Sequence, residues 1–192
     1  MFSIFNSDKS ISKDFSFLGA DMHSHLIFGI DDGSRSEGES ISLVKGLQNL
    51  GFEKLITTPH TFPDYYPNTP ISIRRGLTQL ESVLMSANLS IDISAASEYY
   101  GDEMLLEKLK NGEELLTFGD NYLLFEVSMM AKSPLIHEII FNLKTHGYKP
   151  ILAHPERYLY YKKEKEIFNE LDCMLQVNLL SLAGFYGREQ KK

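Results

Sequence analysis

Five strand-like runs of this chain each carry a histidine or a glutamate at or near their end. His23 and His25 close GADMHSH, His60 closes KLITTPH, Glu98 closes IDISAASE, Glu126 sits in YLLFEVS and His154 closes KPILAHPER. Four of the six histidines hold these positions. Apolar runs alternating with helix-period segments build a parallel sheet covered by helices. Parallel strands end on one rim, so a residue type that recurs at strand ends is gathered there. An open sheet would collect its site at one switch point; ligand-type residues on so many consecutive ends favour a closed or nearly closed barrel.

The repeat of strand, loop and helix runs the length of the chain. Residues 19–25 read as the first strand. Ser36 and Glu39 then form a capping box before a helix with Ile41, Val44, Leu47 and Leu50 on one face, ending near Gly51. Residues 52–58 are the second strand. After a loop broken by Pro63 and Pro67, Thr69 caps a helix with Pro70 at its first position and a stripe of Ile73, Leu77, Leu80 and Leu84. Strands follow at 91–96, 122–127, 149–153 and 174–178. The helices between them run from about Asp102 to Asn111, from Ser133-Pro134 to Gly147, and over the charged segment 162–171, whose apolar side is Ile167, Phe168 and Leu171.

With 192 residues and 43% hydrophobic content, one domain with a sizeable core is expected. The net charge of −7 argues against a general nucleic-acid binder, which needs a basic face. No stretch reaches the roughly 20 apolar residues of a membrane span. The single cysteine, Cys173, excludes an intrachain disulfide and fits the reducing cytoplasm. Residues 1–18 read as an N-terminal arm whose Phe2, Ile4 and Phe5 pack on the base of the fold; the run is too short for a signal-peptide core and has no basic leader.

In a strand, alternate side chains share a face, so His23 and His25 point together and can chelate one ion. Alone, such a pair is more often two satisfied surface histidines; the other strand ends favour the metal. Glu126 lies in a run that reads as buried, and a buried carboxylate needs a cation, a proton or solvent. Lysine or arginine is the ordinary partner. A metal fits better because Glu98 holds the matching place one strand earlier, and a shared carboxylate can bridge two ions. His60 and His154 adjoin prolines, which fix the local backbone and would aim each imidazole. Asp31 and Asp32 offer one further ligand and one acceptor behind a ligand histidine, or simple turn chemistry. Arg157 could clamp a phosphate oxygen or form an ion pair. Tyr65, Tyr66, Tyr99 and Tyr100 could border an aromatic substrate or serve packing. His137 and His146 read as structural or solvent-facing. A cysteine-nucleophile phosphatase is excluded, because the arginine expected six positions after Cys173 is Leu179.

Together the residues resemble the polymerase-and-histidinol-phosphatase (PHP) family, and more closely its bacterial manganese-dependent protein-tyrosine phosphatases of capsular and exopolysaccharide synthesis. The matching pieces are DMHSHLIFGIDDGS, ITTPH, EYY, LLFEVS, AHPERY and QVNLLSLAGFYG, in order from Asp21 to Gly187. The resemblance implies an α/β fold, a distorted (β/α)7 PHP-type barrel over residues 19–192, here lacking the last strand–helix portion. It also implies a cluster of divalent metals, manganese by expectation, with iron and zinc suited to the same donors. Carried over by motif, His23 and His25 hold one metal with Glu98. Glu98, Glu126 and His154 hold a second, Asp32 and His60 contribute to a third, and Arg157 contacts phosphate. The implied reaction is attack on phosphotyrosine by a metal-bridging hydroxide, and the implied partner is the tyrosine-rich tail of a bacterial autophosphorylating kinase.

The family pattern continues past Lys192 through a helix and a strand carrying Asp-x-His. The expectation is therefore impaired activity and an open sheet edge that invites pairing with a second copy. Two rival readings follow: an interaction module that dimerises through that edge, and a small-molecule phosphomonoesterase such as a histidinol-phosphate phosphatase. AHPERY and NLLSLAGFYG favour the tyrosine-phosphatase branch.

Overall fold

The computed structural model of the chain describes residues 14–162, 164, 166–170 and 171–182. Phe2, Ile4 and Phe5 of the expected arm, and residues 183–192, lie outside the described residues. The elements are β1 (Ala20–Ser24), α1 (Glu37–Asn49), β2 (Lys54–Thr57), β3 (His60–Thr61), α2 (Pro70–Ser86), β4 (Asp92–Ala95) and β5 (Glu98–Tyr100). They continue with α3 (Glu103–Lys110), β6 (Tyr122–Glu126), α4 (Ile136–Thr145), β7 (Lys149–Ala153), α5 (Ile167–Glu170), β8 (Met174–Gln176) and α6 (Leu179–Leu182). Every named strand pair is parallel. The strands form two sheets, in the orders β1-β2-β4 and β3-β5-β6-β7-β8.

The two sheets are joined by chain continuity at two neighbouring kinks. The second expected strand is interrupted at Thr58-Pro59 and resumes as β3; the third is interrupted at Ala96-Ser97 and resumes as β5. Proline has no N–H to continue a ladder. The Pro59 carbonyl remains and accepts from Glu98 N at 3.1 Å and from Ser97 Oγ at 3.1 Å. Thr61 and Ser97 hydroxyls meet at 2.6 Å. The two strands thus bend together, and His60 and Glu98 emerge as register partners.

Local chemistry sets the helix starts. Thr69 and Ser72 form a complete capping box with Pro70 behind it. Asp102 accepts from Met104 N and Leu105 N. The box expected at Ser36 and Glu39 closes on one side only. Ser36 accepts from Glu39 N, whereas the Glu39 carboxylate accepts from Arg35 N at 2.9 Å, one residue earlier. The charged segment 162–171 is helical at Ile167–Glu170, preceded by 3-10 turns at Pro155–Arg157 and Leu159–Tyr161. Lys163 and Lys165 lie outside the described residues.

Two helix-covered clusters form the core. One joins Leu105, Leu109, Leu123, Phe125, Ile139, Leu143, Leu152 and Tyr158. The other joins Val44, Leu55, Ile73, Leu80 and Leu84. Phe15 closes the second from below, its ring 6.3 Å from Phe52 and its N–H bonded to Leu50 O. Strand alternation turns Leu124 to the other face of β6, where it packs with Ile151 and Ala153. Glu126 follows Leu124 on that face, at the strand's end.

Candidate metal centre

Glu98 opens β5, is 1% exposed and stands at the convergence of four imidazoles. Its Oε2 lies 3.2 Å from His23 Nε2, 3.4 Å from His25 Nε2 and 3.2 Å from His60 Nδ1; its Oε1 lies 2.9 Å from His154 Nε2. β1 supplies His23, and His25 follows one residue past its end. His154 follows β7 in a left-handed conformation, φ 35 and ψ 55, with Pro155 behind it and Arg157 N bonded to its carbonyl. A non-glycine residue held there is strained. The turn at Pro155 maintains the conformation that directs this imidazole at Glu98. Glu126 closes the group, with Oε1 3.1 Å from His60 Nδ1 and Oε2 3.7 Å from His154 Nε2.

The first loop wraps the opposite side. Asp31 Oδ2 accepts from His25 Nδ1 at 2.7 Å and from the backbone N–H of His60 at 3.0 Å. Asp31 is therefore the acceptor behind a histidine. Asp32 is exposed and sits 3.4 Å from His60 Nε2. Asn68 donates to Ile30 O and to His60 O, tying the first loop to the second. Gly33 packs where a Cβ would come within 2.3 Å of His25 Cβ.

Electrostatics favour the ionised form of Glu98 and Asp31. Burial works against the Glu98 carboxylate, but the electrostatic pull of His23 and the hydrogen bond from His154 hold its pKa well below the usual range. Burial likewise opposes charge on His25, yet the hydrogen bond to Asp31 and the Glu98 carboxylate close by raise its pKa to about 10. A divalent ion entering here would compete with protons for the same histidines.

The residues fit a metal. Glu98 Oε2 and His60 Nδ1 are buried and, despite their close neighbours, engage in no aligned hydrogen bond. Buried polar atoms in that state need an explanation, and a cation among them supplies one. Three sets of donors lie close enough to share an ion: His23, Glu98 and His154; His25, His60 and Glu98; and His25, Asp31 and Asp32. The pairings implied by the motifs differ, since they joined His23 with His25 and left His60 apart from Glu98. All seven expected ligands nevertheless meet in one place. A groove of about 620 Å³ beside Met85 and Ile91 contains none of them.

Of the expected substrate residues, Arg157 lies half-buried in the turn after His154. Tyr65 is 71% exposed at the rim. Tyr99 does not line the cleft. It is 2% exposed, belongs to the helix-facing core and accepts from Leu116 N through its hydroxyl. Strand alternation puts Tyr100 on the Glu98 side instead, stacked on Phe62 at 3.9 Å. Tyr66 stacks on His60 at 5.4 Å. His137 and His146 are exposed on α4 and just past its end. Asn68 and Gln176 also belong to the site, although no motif marks them. Gln176 ends β8 and reaches His23 Nδ1 at 2.7 Å; a polar residue at one more strand end was the available signal.

A family model described as capsular polysaccharide synthesis, CpsB/CapC, matches residues 19–192. The chain belongs to the CpsB/CapC family. It is 29% identical to the tyrosine-protein phosphatase CpsB of Streptococcus pneumoniae, covering 89% of this chain and 72% of the relative. It is 27% identical to the tyrosine-protein phosphatase YwqE of Bacillus subtilis, covering 89% and 68%. Among solved structures it resembles one from a study of YwqE and CpsB, described there as metal-dependent tyrosine phosphatases. The TM-score is 0.82 at 26% identity, over 90% of this chain and 71% of that one. The mixed α/β fold with parallel sheets is thus common to this CpsB/CapC chain and that structure.

Proposed function

We propose that this chain is a metal-dependent phosphatase that hydrolyses phosphotyrosine on proteins of capsular or exopolysaccharide synthesis. The observation that carries the reading is Glu98, a buried carboxylate met by four histidines from three separate segments. Family membership and the named activities of the relatives support the substrate class.

In this reading residues 19–192 form a PHP-type barrel after an arm of residues 1–18. His23, His25, Asp32, His60, Glu98, Glu126 and His154 hold divalent cations, manganese first, with iron and zinc compatible with the donors. Such cations supply Lewis acidity toward phosphoryl oxygens and lower the pKa of water. Water adds to phosphorus and the P–O bond to tyrosine breaks, releasing phosphate and the phenol, with no phosphoenzyme. Asp31 orients the His25 ring. Arg157 offsets charge on the phosphoryl oxygens. Tyr65, Tyr66 and Tyr100 border the substrate ring. The tyrosine-rich tail of a bacterial kinase is the proposed protein substrate, and the cytoplasm the proposed compartment. Among the described residues no helix is long and apolar enough to cross a membrane.

The test is phosphate release from a phosphotyrosine peptide, a phosphoserine peptide and histidinol phosphate, with manganese, iron or zinc. Metal-dependent turnover of the phosphotyrosine peptide above the other two is expected. Binding of metal without turnover of any phosphomonoester would overturn the reading.

A further inference from the structure

We propose that Gln176 is a positioning residue that commits His23 to bind cation through Nε2 and that ties β8 to the metal centre. The inference rests on the reading of His23 as a metal ligand. The Gln176 side chain is buried at the end of β8. Its Oε1 is 2.7 Å from His23 Nδ1 and 3.3 Å from the backbone N–H of His154. Its Nε2 donates to Asn178 Oδ1 at 2.9 Å.

These contacts decide the orientation of the amide. A backbone N–H can only donate, so the Gln176 atom facing His154 must be the oxygen. The same oxygen faces His23, so His23 Nδ1 carries the hydrogen. Nε2 is then the nitrogen available to a cation, and it is the one 3.2 Å from Glu98 Oε2. Asp31 does the same for His25 from the other side, with a carboxylate in place of an amide. One amide oxygen therefore serves two ligand histidines: it sets the ring of His23 and anchors the backbone of His154.

The placement also bridges the fold. β1 and β8 are the outer strands of different sheets, and among the described residues no strand pairing joins them. The His23–Gln176 contact spans 153 residues of chain across that seam. An amide here, unlike a carboxylate, adds no further negative charge to a cluster that already holds Glu98, Glu126, Asp31 and Asp32.

Two measurements test the proposal on the full chain. Long-range 1H–15N NMR of the metal-free protein reads the hydrogen on each His23 nitrogen directly. We expect it on Nδ1 in the wild type and in Gln176→Glu, which keeps the acceptor, and redistributed toward Nε2 in Gln176→Leu. Calorimetric titration with Zn2+ should show a loss of affinity of about 10- to 100-fold in Gln176→Leu and a smaller loss in Gln176→Glu. A His23 in the wild type with hydrogen on Nε2 alone would overturn the proposal, with no variant needed. So would a folded Gln176→Leu that binds zinc as the wild type does. A wild-type chain that binds no metal would instead sink the metal-centre reading and leave the NMR result to decide the role of Gln176.

Discussion

Glu98 and His154 are 56 residues apart in the chain, yet Oε1 and Nε2 meet at 2.9 Å with both side chains almost wholly buried. Glu98→Gln keeps the shape and removes the charge that four imidazoles share. The expected result is a fold preserved by circular dichroism and a metal affinity reduced by at least about 100-fold, on the scale of a lost ligand rather than a lost supporting contact. Unchanged affinity by calorimetry would show that Glu98 holds protons only.

Asp31→Asn retains a hydrogen-bonding side chain behind His25 but loses the carboxylate that accepts from its Nδ1 and from His60 N. Metal affinity should fall by about 10-fold or more, as is typical when such a partner is altered. Asp32→Asn, on the exposed side, should cost less in the same titration.

Gly33 has no room for a methyl group. Its Cβ would come within 2.3 Å of His25 Cβ and 2.6 Å of His25 O, which are backbone-anchored and cannot swing aside. Gly33→Ala should destabilise the protein by about 1–3 kcal/mol in urea unfolding. It should also lower metal affinity, because His25 must shift.

The Tyr158 hydroxyl accepts from the Val127 N–H at 3.1 Å in the core beneath the centre. Removing it in Tyr158→Phe leaves that buried N–H unpaired. The cost should be about 1–3 kcal/mol, with faster amide exchange at Val127. Val127 directly follows Glu126, so the same variant should loosen the end of β6 and weaken metal binding modestly.

Metal added at 100 times its dissociation constant should raise stability by about 2.7 kcal/mol if it binds the folded chain alone. A chelator should reverse that rise in a thermal melt. A melting temperature indifferent to both additions would contradict a site built from these ligands.

Much of the centre was legible without the fold. His23 and His25 share a face because strand alternation is a local property, and the prolines beside His60 and His154 marked turns that aim an imidazole. The same alternation, applied to EYY, would have turned Tyr99 away from Glu98 and chosen Tyr100. The kinks at Pro59 and Ser97 were less accessible. They depend on two strands bending together, through bonds such as Glu98 N to Pro59 O that no single segment contains.

What the sequence determined by itself was a supply of donors: histidine and carboxylate at successive strand ends, on parallel strands that all finish on one rim. Periodicity and capping act within a few residues, so they can be read from the chain alone. The tertiary structure decided which donors share an atom. That Glu98 serves four histidines, and that Gln176 reaches His23 across the seam between two sheets, depends on how the two sheets are brought together. That arrangement needs contacts between segments far apart in the chain, which no local pattern contains.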